Sequence, residues 1–150
     1  LDALVATCQE ARALTQVPEI GVACAAIIVG ELGTPSDYEH PRQILKLAGM
    51  NLAGRDSGQT VRRPRQTKRG RPLLRQQLFL LAGRWCQPRG LLHEDYLALK
   101  ARNGGHGTKA VCAMARRLVP LLFRVMKTHE PFDVERWQGN RRPRLVPSAA

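Results

Sequence analysis

At 150 residues with 43% hydrophobic side chains, the chain can bury one real core and is too short for several domains. A net charge of +12 and a pI near 10.8 point to a polyanionic partner, with nucleic acid the default. No stretch stays apolar for the ~20 residues of a membrane span. No segment reads as a signal peptide, and no long basic amphipathic helix suits a membrane surface.

Aromatics are 5% and the apolar set is mostly Ala and Leu, which predicts an all-α fold. Residues 1–40 carry six acids (Asp2, Glu10, Glu19, Glu31, Asp37, Glu39) against Arg12, and everything after Pro41 is strongly basic. Cys8, Cys24, Cys86 and Cys112 form no CxxC pair, and the four histidines are scattered, so no metal site is expected. Buried free thiols are the better reading, and they suit a reducing cytosol.

Leu1, Leu4, Cys8 and Ala11 lie at spacings of three and four, one face of a helix over residues 1–14. The chain opens there in mid-pattern without Met, which reads either as the end of a preceding helix or coiled coil in a longer protein or as an ordinary packed helix. Val17-Pro18-Glu19-Ile20-Gly21 then turns the chain into an almost uncharged helix, Val22 to Leu32. Helix, Pro/Gly turn, helix over 14–33 looks like a helix-hairpin-helix unit, whose turn reads hydrophobic-x-Gly-hydrophobic-Gly. Gly21 is the candidate phosphate contact, because backbone N–H groups at a helix start bind anions. Glu19 stands where that motif has its first glycine, and its carboxylate repels phosphate. A purely structural hairpin is the alternative.

Gly33 to Asp37 is a turn, and Pro41 to Ala48 a short helix with Pro at its first position, ended by Gly49. From Arg55 to Arg75 there are eight basic residues (Arg55, Arg62, Arg63, Arg65, Lys68, Arg69, Arg71, Arg75) and one acid, Asp56. Ser57-Gly58 lies inside this run, and Thr60 is the next hydroxyl, three residues along. Gln59 to Gln66 could form an extended arm or a small hairpin. Charge alone does not separate a nucleic-acid contact from a solvated basic loop.

Pro72 starts a helix through Trp85, with Arg71 and Arg75 in its first turn. Positive charge there opposes the helix dipole, and a phosphate would neutralise it. Leu91 to Arg102 is another helix, and Asn103 to Gly107 a loop whose His106 is either surface or a phosphate contact. Thr108 is expected to cap a helix of about twenty residues ending near Thr128, kinked at Pro120. Residues 129–150 read as a basic tail, disordered over the last ten.

The ordered pieces VPEIG, ELG, RQILKLAGM, Ser-Gly eight residues past Gly49, TKRG, LLR and GTKAVCAMARRLV are fairly specific as a set. Over residues 14 to 128 they resemble the C-terminal domain of the insertion-sequence one-ten family of transposases, the RNA-guided recombinases of bacterial mobile elements. Departures are Glu19 and the run Gly49-Met50-Asn51-Leu52, where the family has Gly-Leu-x-Pro. The resemblance implies that Ser57 attacks a DNA phosphodiester and forms a transient phosphoserine link. It implies no cofactor in this fragment, and Mg2+ on the carboxylates of an N-terminal RuvC-like domain. Implied partners are DNA, a guide RNA, that N-terminal domain of the same protein, and further copies in a homo-oligomer, in the bacterial cytoplasm at the nucleoid.

From the residues alone, nothing in the chain activates a serine, and the isolated fragment is expected to be inactive. A non-enzymatic helix-hairpin-helix nucleic-acid-binding module therefore stands as the alternative, and a helical protein-interaction domain with a basic tail as a third class.

Overall fold

The computed structural model describes residues 2–53, 56–57, 60–61 and 65–141. Arg55, Arg62, Arg63 and the last nine residues, where most of the disordered tail was expected, lie outside the described residues. The described helices are α1 (Asp2–Thr7), α2 (Gln9–Thr15), α3 (Val22–Leu32), α4 (Pro41–Leu47), α5 (Pro72–Trp85), α6 (His93–Arg102), α7 (Gly107–Thr128) and α8 (Val134–Arg141). The fold is all-α, with short β-ribbons between α4 and α5 and a 3-10 turn at Pro35–Asp37.

α7 is the spine. Its apolar residues recur every three or four positions, so Met114, Ala115, Leu118, Leu122 and Met126 share a buried face. α5 packs along it through Leu74, Leu78, Leu81 and Trp85, and α2 and α4 also rest on it. α3 lies against α2 and α5 and buries Cys24, Ala25, Ile28 and Leu32. Burying each such leucine or isoleucine stabilises by about 1.5–3 kcal/mol. No charged side chain is buried among the described residues, so their charge lies where a partner can reach it.

The expected helix over residues 1–14 is two helices. Cys8 is extended (φ −100°, ψ 116°) and takes the N-cap of α2, its thiol donating to Glu10 Oε2 at 3.1 Å. Glu10 in the first turn favours that fresh start. The long helix begins at Gly107 with His106 at its N-cap, so Thr108 sits inside the first turn instead of capping it. It continues as helix through the exposed Pro120 to Thr128, and His129, left-handed at φ 54°, closes it. α6 starts two residues later than expected, because the carbonyl of Trp85 holds the N–H of Leu92 at 2.9 Å and Leu92 is buried in the turn.

Part of the expected tail is docked. Phe132 packs tilted and Trp137 edge-on against Trp85, with ring centroids 6.1 and 5.3 Å away, and they anchor α8 to the end of α5. Trp85 also donates its indole N–H to Pro18 O at 2.9 Å, which ties the α2–α3 turn to the α5–α6 turn. The four cysteines are free, with Cys24 and Cys86 buried and Cys8 and Cys112 half-buried.

Candidate catalytic hairpin and nucleic-acid interface

Between α4 and α5 the chain makes two nested antiparallel ribbons. The outer one pairs β1 (Leu52–Ala53) with β4 (Arg65–Gln66), and the inner one pairs β2 (Asp56–Ser57) with β3 (Thr60–Val61). The hairpin expected over Gln59 to Gln66 is therefore wider and begins at Leu52. In register, Leu52 faces Gln66, Ala53 faces Arg65, Asp56 faces Val61 and Ser57 faces Thr60. Ser57 is thus the last paired residue on its arm. Thr60, the next hydroxyl three residues along, is its direct partner across the ribbon, because a hairpin folds i+3 back onto i.

The root of this hairpin is a close crossing of two backbones. Gly49 (φ 65°) ends α4, and a Cβ there would lie 2.8 Å from Arg69 O. Gly70 has φ 152°, and a Cβ there would lie 2.3 Å from Leu47 O and 2.6 Å from Gly49 N. Only glycine admits such an approach. Hydrogen bonds lace the crossing: Lys68 N to Gly49 O (2.9 Å), Arg71 N to Leu47 O (2.7 Å) and Thr67 N to Asn51 O (3.1 Å). Thr67 Oγ1 donates to Asn51 Oδ1 at 2.8 Å, and Arg75 Nη1 donates to Ala48 O (3.0 Å) and Lys68 O (3.3 Å).

The expected contact residues divide between solvent and fold. Lys68 and Arg69 are exposed beside the crossing. Arg71, also exposed, stands 3.9 Å from Glu31, a surface pair worth about 0–1 kcal/mol. Arg75 is half-buried and engaged with backbone carbonyls. Arg71 is the extended N-cap of α5, one residue before the first turn where it was expected, and Arg75 lies in that turn; the fold supplies both with partners from the same chain. For Arg65 the structure gives the backbone pairing with Ala53.

Periodicity missed the groups that α7 brings to this region. Cys112 stands near Arg116, Gln66 and Lys68; burial pushes its thiol pKa up, and these neighbours pull the other way. Burial likewise lowers the pKa of Arg116, a half-buried guanidinium beside Arg117.

At the other end, Glu19 is left-handed (φ 67°), so the turn keeps a glycine-type conformation at a residue that bears a carboxylate. Arg89, in the α5–α6 turn, is left-handed as well (φ 70°). The two turns enclose a cleft of about 420 Å³ in which Arg84 and Arg89 share the wall with Glu19. Gly21 caps α3 with φ −80°, and nothing lies within 4 Å of where its Cβ would be. His106 is exposed. Among the described residues no three His, Cys, Asp or Glu side chains converge to hold a metal ion, and no helix is long and apolar enough to cross a membrane.

Residues 11–96, more than half of the chain, match the profile of the Transposase IS116/IS110/IS902 family. The chain belongs to that family. No curated protein matches it. The matched span runs from α2 into α6, and so contains the hairpin, its root and Ser57. Membership gives this transposase-family chain a role in transposition, with DNA as its partner class. α7 lies beyond the match, although it supplies the surface on which the matched helices pack.

Proposed function

We propose that the chain is the DNA-binding and catalytic-serine domain of an insertion-sequence transposase, with Ser57 as nucleophile. The observation that carries this reading is the place of Ser57, the last paired residue of a ribbon that follows a glycine crossing, within a stretch of sequence carrying eight basic residues. The serine oxygen would form a bond to a DNA phosphorus while the bond to one bridging oxygen breaks, and that DNA oxygen leaves as a hydroxyl after taking a proton. The phosphoserine link conserves the phosphodiester energy, so a second DNA hydroxyl can reverse the step onto a new strand.

In this reading Arg55, Arg62, Arg63, Arg65, Lys68, Arg69 and Arg71 hold the phosphate backbone and offset charge that develops on the reacting phosphate. In the same proposal Mg2+ sits on the carboxylates of a RuvC-like N-terminal domain of the same protein. A guide RNA would read sequence by base pairing, leaving this domain to read shape and backbone. Homo-oligomer formation and a bacterial cytoplasmic, nucleoid-associated setting complete the proposal.

One observation favours a second reading, a helix-hairpin-helix binding module without chemistry. Neither φ nor packing requires glycine at position 21, although an N-cap tolerates it, and the open space leaves the start of α3 accessible to a phosphate. Arg84 and Arg89 beside Glu19 would offset its carboxylate. Ser57→Ala in the intact protein separates the readings. Loss of strand exchange with retained DNA binding supports the nucleophile; strand exchange at the wild-type rate leaves only the binding module.

A further inference from the structure

We infer that Arg75 is a positioning residue for the serine hairpin rather than a contact to nucleic acid. This inference rests on the reading of Ser57 as nucleophile. Arg75 Nη1 carries two N–H groups and gives one to each side of the crossing: Ala48 O on the chain leaving α4, and Lys68 O on the chain returning to α5. The Ala48 carbonyl is an end-of-helix acceptor left without an intrahelical partner, which a cation suits. The Lys68 carbonyl points where it does because Lys68 is left-handed, φ 54°. That conformation is unfavourable for a side-chain-bearing residue and needs surrounding bonds to hold it. The guanidinium thus fixes both backbones at the point where Gly49 and Gly70 leave no slack.

Ser57 lies eight residues beyond Gly49 in the chain. The root sets the direction in which the serine arm leaves the helices, and a displacement of about 1 Å already costs about 100-fold in a reaction that depends on alignment. Asn51 and Thr67 brace the same root through their side-chain hydrogen bond of 2.8 Å.

The test uses Arg75→Lys and Thr67→Val in the intact protein, with a labelled duplex bearing the mobile element's own end. Arg75→Lys keeps the charge and loses the planar fork, so it separates the two roles. For both variants the expected result is an unchanged salt slope of DNA binding and a kcat for covalent adduct formation at least tenfold lower at unchanged KM. Backbone hydrogen exchange at Lys68 and Arg71 should be at least tenfold faster. Wild-type kcat and protection in Arg75→Lys would overturn the inference. So would a fall of about 0.9 in the salt slope of Arg75→Ala, the signature of one lost phosphate contact. If Arg75→Lys does not fold, Thr67→Val carries the same measurements from the other side of the root. Ser57→Ala runs alongside: activity there removes the nucleophile and not the mount, and the exchange rates then decide the role of Arg75 by themselves.

Discussion

Gly70→Ala should be among the most damaging single substitutions in the chain. Its added methyl would sit 2.3 Å from Leu47 O and 2.6 Å from Gly49 N, both backbone atoms that cannot rotate away. The residue also holds φ 152°, which a side chain disfavours at about 1–3 kcal/mol. Forcing the two chains apart adds about 1–3 kcal/mol of overpacking. The Arg71 N to Leu47 O bond at 2.7 Å is lost with it, about 1 kcal/mol more. A loss of about 3–7 kcal/mol lowers Tm by roughly 6–28 °C in a domain of this size. Gly21→Ala is the matched control: φ is −80°, nothing lies within 4 Å, and loss of a glycine N-cap costs only about 1 kcal/mol, so Tm should stay within about 4 °C of wild type. Thermal unfolding followed by circular dichroism reads both. If Gly70→Ala melts as close to wild type as Gly21→Ala does, the crossing is not a close approach and the hairpin has no such mount.

Trp85→Phe keeps an aromatic ring and loses the bond to Pro18 O, so it should cost about 1–3 kcal/mol, against about 3–5 kcal/mol for Trp85→Ala, both measured by denaturant unfolding. Replacing Arg62, Arg63 and Arg65 together with alanine should flatten the dependence of log K on log salt by roughly 2–3, and an unchanged slope would remove that cluster as the main DNA contact. Burial, and secondarily the charge of Asp95, push the Cys86 thiol up to about 11. The folded state therefore keeps a proton that the unfolded state releases near its ordinary value of 9.0. Stability from this group is intact below that value and is lost as pH rises toward 11, and Cys86→Ala should reduce the fall in denaturation midpoint across that window.

The parts of the fold legible in the sequence are those with local causes. α5 and α7 follow from apolar spacing, α3 from its near-absence of charge, and the left-handed Gly49 marks where the chain turns away just past α4. Cys8 breaks the first helix through its backbone and a contact to Glu10, which a spacing count does not weigh. α8 depends on Phe132 and Trp137 meeting a tryptophan far back in the chain, so no window of sequence contains its reason. The same holds at the hairpin root. Arg75 and Gly70 look like members of a basic, glycine-bearing run, and their partners on α4 more than twenty residues earlier appear only once the chain folds back. Ser57 stands out as a candidate mainly through the family resemblance, beside a glycine amid arginines; its pairing with Thr60 is not legible, since two-residue ribbons leave no alternation to read.

The most direct measurement is to trap the covalent intermediate of the intact protein on a duplex bearing the element's end, digest it, and map the modified residue by mass spectrometry. The expected result is a DNA adduct on Ser57 that survives denaturant and is absent from Ser57→Ala. An adduct on Thr60 or any other residue, or strand exchange by Ser57→Ala at the wild-type rate, would contradict the assignment.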